Sequence, residues 1–224
     1  MNRDPASPAA VVVMARAPRA GEVRRALEPQ LGAGGCAALQ AALIVAAIRW
    51  AHEVAPGAVH VAHDPPDAAP ELRALLPAPA ALFPQNGEGI GRRLADATAR
   101  VLARHEGPLL VVWPDLPRLR SDHATAALGD LRAGCDLVLG PVIGGGLYLI
   151  AIERPQPELF ALPEQAWRAP DVLSMGTAAA RRAGLEVGIL RTERALHRPA
   201  DLRAARADPT LPAEVAAILG ARAA

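Results

Sequence analysis

Leu109-Leu110-Val111-Val112-Trp113-Pro114-Asp115-Leu116-Pro117 is the stretch on which the reading of this chain turns. Four apolar residues that include a β-branched pair have the character of a strand buried on both faces, as in a parallel sheet, and Pro114 ends it. Asp115 then stands just past a strand's carboxyl end, where open α/β sheets take their ligands. A solitary carboxylate at that place can hold a metal, meet a ribose hydroxyl, or do no more than supply the turn that Pro-Asp sequences commonly make.

The totals around that stretch narrow the class. At 224 residues the chain suits one domain with a large core. Half of the residues are apolar but only 3% are aromatic, so Ala, Val, Leu and Ile must build the core. A formal net charge of +1 and the shortage of stacking rings argue against a nucleic-acid partner. Every basic residue is Arg, which excludes Schiff-base or P-loop lysine chemistry and leaves guanidinium groups for any phosphate. Cys36 and Cys135 stand far apart in no metal-spaced motif and read as free thiols, consistent with a cytoplasmic protein. No targeting segment is evident in the opening residues, and residues 1–10, with Asp4 and two prolines, read as flexible. The apolar run Ala37–Ala47 is interrupted by Gln40 and followed by Arg49, so a buried helix is expected there and no membrane partner.

Outward from the central stretch, strands and helices alternate. Strands are predicted at Val11–Met14, Val59–Ala62, Ala81–Phe83, Asp136–Leu139, Leu147–Ile152 and Val187–Leu190. Between them fall helices over Cys36–Val54 after a break at Gly32–Gly35, Glu71–Leu76, the stretch from the Pro84–Leu94 glycine turn to about His105, Ser121–Leu131 with Ser121 or Asp122 as N-cap, and a segment ending near Ala183. A helical tail, 203–224, closes the chain. The order predicts an α/β fold, a Rossmann-like mainly parallel sheet with helices on both faces, in one domain over 1–224. No GxGxxG follows the first strand, which disfavours a dinucleotide oxidoreductase. Instead the first strand runs into a loop with Arg16, Arg19, Arg24 and Arg25 around Gly21, a phosphate site by charge and fork geometry or else a solvated basic loop. The triple glycine Gly144-Gly145-Gly146 between two strands suggests either backbone pressed against a substrate or a flexible hairpin. His60 and His63, three apart on a strand, point to opposite faces and cannot share a metal.

Six motifs in order carry a family resemblance. They are Ala15-Arg16-x-Pro18-x-x-Gly21-x-Val23, Gln85-x5-Gly91-x-Arg93-Leu94, Asp115-Leu116-Pro117, Gly140-Pro141 with Gly145-Gly146-x-Tyr148-Leu149-Ile150, Trp167-x-x-Pro170-Asp171-Val172-Leu173, and Pro199-x-Asp201-Leu202. Together they resemble the DUF2064 family, glycosyltransferase-A-like proteins also described as radical-SAM/selenodomain-associated transferases and distantly similar to the phospholactate and molybdenum-cofactor guanylyltransferases. The resemblance implies a nucleotide-diphospho-sugar transferase (GT-A) fold and nucleotidyl or glycosyl transfer from a nucleotide or nucleotide sugar to a small-molecule acceptor, with Mg²⁺ or Mn²⁺ held on carboxylates. It further implies that Arg16, Gly21, Arg24 and Arg25 face the phosphates, that Gln85 and Arg93 serve the base or its loop, that Asp115 is catalytic and holds the metal, with His197 as a possible second ligand, and that Gly145, Gly146 and Asp171 meet the acceptor.

The departures from the pattern bear on that chemistry. Relatives carry Lys-Thr-Arg-Leu where this chain has Arg24-Arg25-Ala26-Leu27, an Asp where Gly89 stands, acidic residues at Ile143 and Gly144, and Asp-x-Asp-Thr-Pro in place of Ala195-Leu196-His197-Arg198-Pro199. A divalent ion on a triphosphate wants oxygen ligands, and imidazole is a poorer partner for Mg²⁺. Loss of that charge stabilisation costs a hundredfold or more in rate, roughly 3 kcal/mol, unless guanidinium groups such as Arg24, Arg25 and Arg198 substitute. The alternative expectation is therefore a catalytically degenerate member that binds a ligand or a protein partner.

Overall fold

The computed structural model describes residues 8–167 and 169–220. One seven-stranded sheet runs through them: β1 (Ala10–Arg16), β2 (Val59–Asp64), β3 (Ala81–Pro84), β4 (Leu109–Val112), β5 (Leu137–Pro141), β6 (Leu147–Ile152) and β7 (Val187–Ile189). The spatial order is β3-β2-β1-β4-β6-β5-β7, with β6 antiparallel to both neighbours and every other pairing parallel.

The helices are α1 (Glu28–Val54), α2 (Ala69–Leu75), α3 (Gly89–Leu102), α4 (Ser121–Arg132), α5 (Pro157–Phe160), α6 (Glu164–Trp167), α7 (Val172–Arg182), α8 (Pro199–Arg206) and α9 (Ala213–Leu219). Alternation along the strands sorts the core into two layers. Val11 and Val13 of β1 join Leu110 and Val112 of β4 beneath α1, α2 and α4. Ala10, Val12 and Met14 join Leu109 and Val111 on the other face, beneath α3, α5 and α7. Burial on both faces is why these strands read as unbroken apolar runs.

The path of the chain fixes where a ligand can enter. From β1 the chain crosses one face through α1 to β2 and on to β3, then returns past β1 over the other face through α3 to β4. Strand order therefore reverses between β1 and β4, the topological switch point at which open sheets form a crevice beyond their carboxyl ends.

Several sequence expectations are corrected by the packing. The chain breaks at Gly32 as expected, at φ 68°, ψ 165°, but at that residue alone: a turn of helix from Glu28 precedes it, and Gly34 and Gly35 stay within the long helix, which therefore begins ahead of Cys36. By length and composition alone that helix is apolar enough to cross a membrane. As expected of a buried helix, its Ile44, Ala47, Ile48 and Ala51 lie on the sheet, and Gln40, the polar residue in its apolar run, is buried with its amide donating to the Arg16 carbonyl at 3.1 Å. Neither Ser121 nor Asp122 caps α4; that place is taken by Arg120, whose main-chain N–H donates to His123 Nδ1 at 3.2 Å. Of the residues read as flexible, 1–7 lie outside those described, whereas Ala9 and Ala10 are buried. The tail is helical as α8 and α9 up to residue 219, and Leu202, Val215 and Leu219 bury against Leu39 and Leu43 of α1; residues 221–224 lie outside those described.

Candidate functional site

At the switch point lies an open cleft of about 310 Å³, lined by the ends of β1 and β4, the loop that follows each, and the segment leading into α8. Three distant parts of the chain meet in its floor through one side chain. Arg24 is only 5% exposed; its Nη1 donates to Leu196 O at 2.9 Å, and its Nη2 to Pro114 O at 2.7 Å and Asp115 Oδ1 at 3.0 Å. Leu196 N–H in turn donates to the Asp115 carbonyl at 2.9 Å. The backbone at Arg24 is left-handed, φ 49° and ψ 35°, a conformation a non-glycine residue keeps only where its surroundings hold it.

The second oxygen of Asp115 faces His197 Nε2 at 3.2 Å. His197 is positioned from below: its own N–H and that of Arg198 both donate to Oδ2 of Asp201, at 3.2 and 2.8 Å, at the start of α8. The outcome is a linear arrangement of guanidinium, carboxylate and imidazole, with Asp115 26% and His197 42% exposed to the cleft. Burial pushes the Asp115 carboxyl up, but the hydrogen bond to His197 and the charge of Arg24 outweigh it and hold the group at about 2. Burial likewise lowers the Arg24 guanidinium, opposed by Asp115.

The other phosphate candidates divide. Arg16 stands at the lip of the cleft, 58% exposed, its Nε 3.7 Å from Asp64 Oδ2 across the β1–β2 register. Arg93 approaches the same carboxylate oxygen at 3.3 Å, so two guanidinium groups share one anion and positive charge is left over. Main-chain N–H groups of Gly21, Val23 and Arg24 donate to no protein acceptor among the described residues. Arg25 is exposed and does not line the cleft. Gln85 holds its loop, its amide donating to Ala62 O at 2.9 Å. Arg24, expected to face phosphate, spends its two terminal nitrogens on the protein instead.

The carboxylate set does not suit a resident hard cation. Among the described residues no three His, Cys, Asp or Glu side chains cluster as metal ligands. The one floor carboxylate already accepts on both oxygens, and its neighbour at the expected second acidic place is an imidazole.

Residues 47–164 match the model of a family described as an uncharacterized protein conserved in bacteria, DUF2064. The chain belongs to the DUF2064 family. The match takes in Asp115 and Gln85 but neither Arg24 nor His197, the two groups that close on the carboxylate. No curated protein matches the sequence. Among solved structures, a candidate nucleotide-diphospho-sugar transferase of Desulfovibrio desulfuricans G20 is 22% identical with a TM-score of 0.85, covering 96% of this chain and 94% of that one. A CMP:2-keto-3-deoxy-manno-octonic acid synthetase solved with CTP is 17% identical at a TM-score of 0.56, over 90% of this chain and 98% of that one. A 4-diphosphocytidyl-2C-methyl-D-erythritol synthase is 13% identical at 0.57, over 91% and 97%. This DUF2064 member thus has the nucleotide-diphospho-sugar transferase fold.

The residues expected to meet an acceptor lie beside the cleft, not in its lining. Gly145, at φ 105°, packs so closely on the turn before α7 that a Cβ there would come 2.5 Å from Pro170 Cα. Its missing side chain is used by the protein, which corrects the picture of bare backbone against substrate. Gly146, at φ 100°, faces open space, and Asp171 is exposed at the start of α7. The hairpin is joined to the cleft wall by Arg198, whose Nη2 donates to Gly144 O at 3.0 Å. Gly145→Ala should lower stability by about 2 kcal/mol, combining backbone clash with left-handed strain, whereas Gly146→Ala should cost only the strain, about 1 kcal/mol. Urea unfolding of the two variants side by side checks this; equal losses would remove the Pro170 contact as the cause.

Residues not legible beforehand complete the lining. Gln40, Glu22, Met14 and Trp113 all border the cleft. Gln40 carried a signal, a lone amide inside an apolar helical run, which is seldom buried without a partner.

Proposed function

We propose that this chain is a nucleotide- or nucleotide-sugar-dependent transferase whose ligand places its phosphates in the cleft between β1 and β4. One observation carries the reading: Arg24 of the first loop is ion-paired with Asp115 after β4, so the basic loop and the central acid share one crevice at the switch point. Arg16 and the main-chain N–H of Val23, which among the described residues donates to no protein acceptor, are the cleft-lining groups free to receive phosphate oxygens. Asp115 stays ionised and orients His197 toward the reacting end, and the 143–146 hairpin borders the acceptor side through Arg198. The fold likeness to a synthetase solved with CTP supports this reading.

A thermal-shift panel of GTP, CTP, UDP-glucose and GDP-mannose tests it, since a ligand at a hundredfold excess over its dissociation constant adds about 2.7 kcal/mol of apparent stability. At least one nucleotide should raise the unfolding midpoint. Arg16→Ala, at an exposed side chain, should leave the unliganded midpoint in place and shrink the shift. No shift with any nucleotide, in the presence of MgCl₂, would overturn the transferase reading and leave the partner-binding alternative.

A further inference from the structure

We infer that this cleft takes its phosphorylated ligand without a divalent cation, because the imidazole of His197 and the guanidinium of Arg24 already hold the two oxygens that a cation would need. The inference rests on the nucleotide reading above and goes beyond it. A hard cation binds a carboxylate oxygen at roughly 2.0–2.6 Å, inside the position from which an imidazole N–H now donates. Metal on Oδ2 of Asp115 would have to turn His197 out of its 3.2 Å contact. On Oδ1 it would meet Arg24 at 3.0 Å, and that group cannot withdraw: it is 5% exposed and bonded to acceptors on two separate segments, at Pro114 and Asp115 and at Leu196. A fixed positive charge beside Asp115 repels a second cation.

The acids nearby do not repair the set. Glu22 lines the cleft but is exposed on the loop after β1, and Asp64 is shared by Arg16 and Arg93 at 3.7 and 3.3 Å. Asp201 is committed to the N–H groups of His197 and Arg198 and to Arg194 at 3.2 Å. What a metal would contribute to phosphate charge is supplied here by groups that need no recruitment: Arg16 at the lip, Arg198 beside the hairpin, and the free N–H groups of the first loop. Such sites hold phosphate by charge-assisted, forked hydrogen bonds.

The test uses the full chain and the nucleotide panel, repeated with EDTA and with MgCl₂. The expected result is a midpoint shift of the same size in both, a dissociation constant changed by less than about threefold by Mg²⁺, and no shift from MgCl₂ alone. Titration with Mn²⁺ followed by electron paramagnetic resonance should show no bound ion in the unaltered protein. His197→Asp, at a half-exposed position, should create a paired-carboxylate site that binds Mn²⁺ and makes the nucleotide shift depend on Mg²⁺. A shift seen only with Mg²⁺, or stoichiometric Mn²⁺ binding by the unaltered chain, overturns this inference while the transferase reading stands. A panel silent under both conditions overturns the two together, and the unaltered protein decides the matter even if the variant fails to fold.

Discussion

Arg24→Ala is expected to lower the stability of the chain by about 3 kcal/mol, the cost typical of removing one partner of a buried ion pair. For a chain of this length that corresponds to a fall in Tm of roughly 6–12 °C. The side chain joins the loop after β1 to the loop after β4 and to the segment before α8, so its loss strands the carbonyls of Pro114 and Leu196 and leaves Asp115 with His197 alone. Arg24→Lys should recover less than half, because one ammonium cannot reach acceptors that the guanidinium spans with two nitrogens. Arg24→Gly separates side-chain contacts from backbone strain: relief of the left-handed conformation should place it about 1 kcal/mol above the alanine variant. Chemical denaturation of the three variants gives these values. An alanine variant as stable as the parent would mean that Arg24 is a surface group free for ligand, and the geometry of the cleft floor would need to be redrawn.

That central role was not legible in the sequence, and the reason is physical. The run Leu109–Val112 announces a doubly buried strand because its four residues face two cores, and Asp115 follows from Pro114 ending it. Local pattern therefore gave the strand, the acid and the switch-point fold. Arg24 and His197 stand 173 positions apart in the chain, and their shared carboxylate is a product of tertiary packing that no periodicity records. The sequence could say that arginines crowd the first loop, not that one of them turns inward. Gly145 was misread for a related reason: positive φ and close approach both select glycine, and only the position of Pro170 tells that the approaching backbone is the protein's own. Gln40 and the helical Gly34 and Gly35 show the same tertiary override, in which packing on the sheet decides what propensity leaves open.

Asp115→Asn should reveal a stability gap that depends on pH in one direction. The carboxyl is held at about 2 in the folded chain against an ordinary 3.8, so folding favours its ionised form. The contribution is fully present above the unfolded value and is lost as pH falls through the folded one; at roughly 1.4 kcal/mol per unit it amounts to about 2 kcal/mol. The difference between parent and variant in urea unfolding should be widest above about pH 4 and should close near pH 2. Subtracting the variant cancels the other carboxylates, whose titration both proteins share. A gap that stays constant with pH would mean that the charge of Asp115 is not what Arg24 and His197 recognise. A gap that closes as expected shows that Asp115 is an anion throughout the neutral range, which bars it from donating a proton there and leaves it to fix the Arg24 guanidinium and the His197 imidazole in the floor of the cleft.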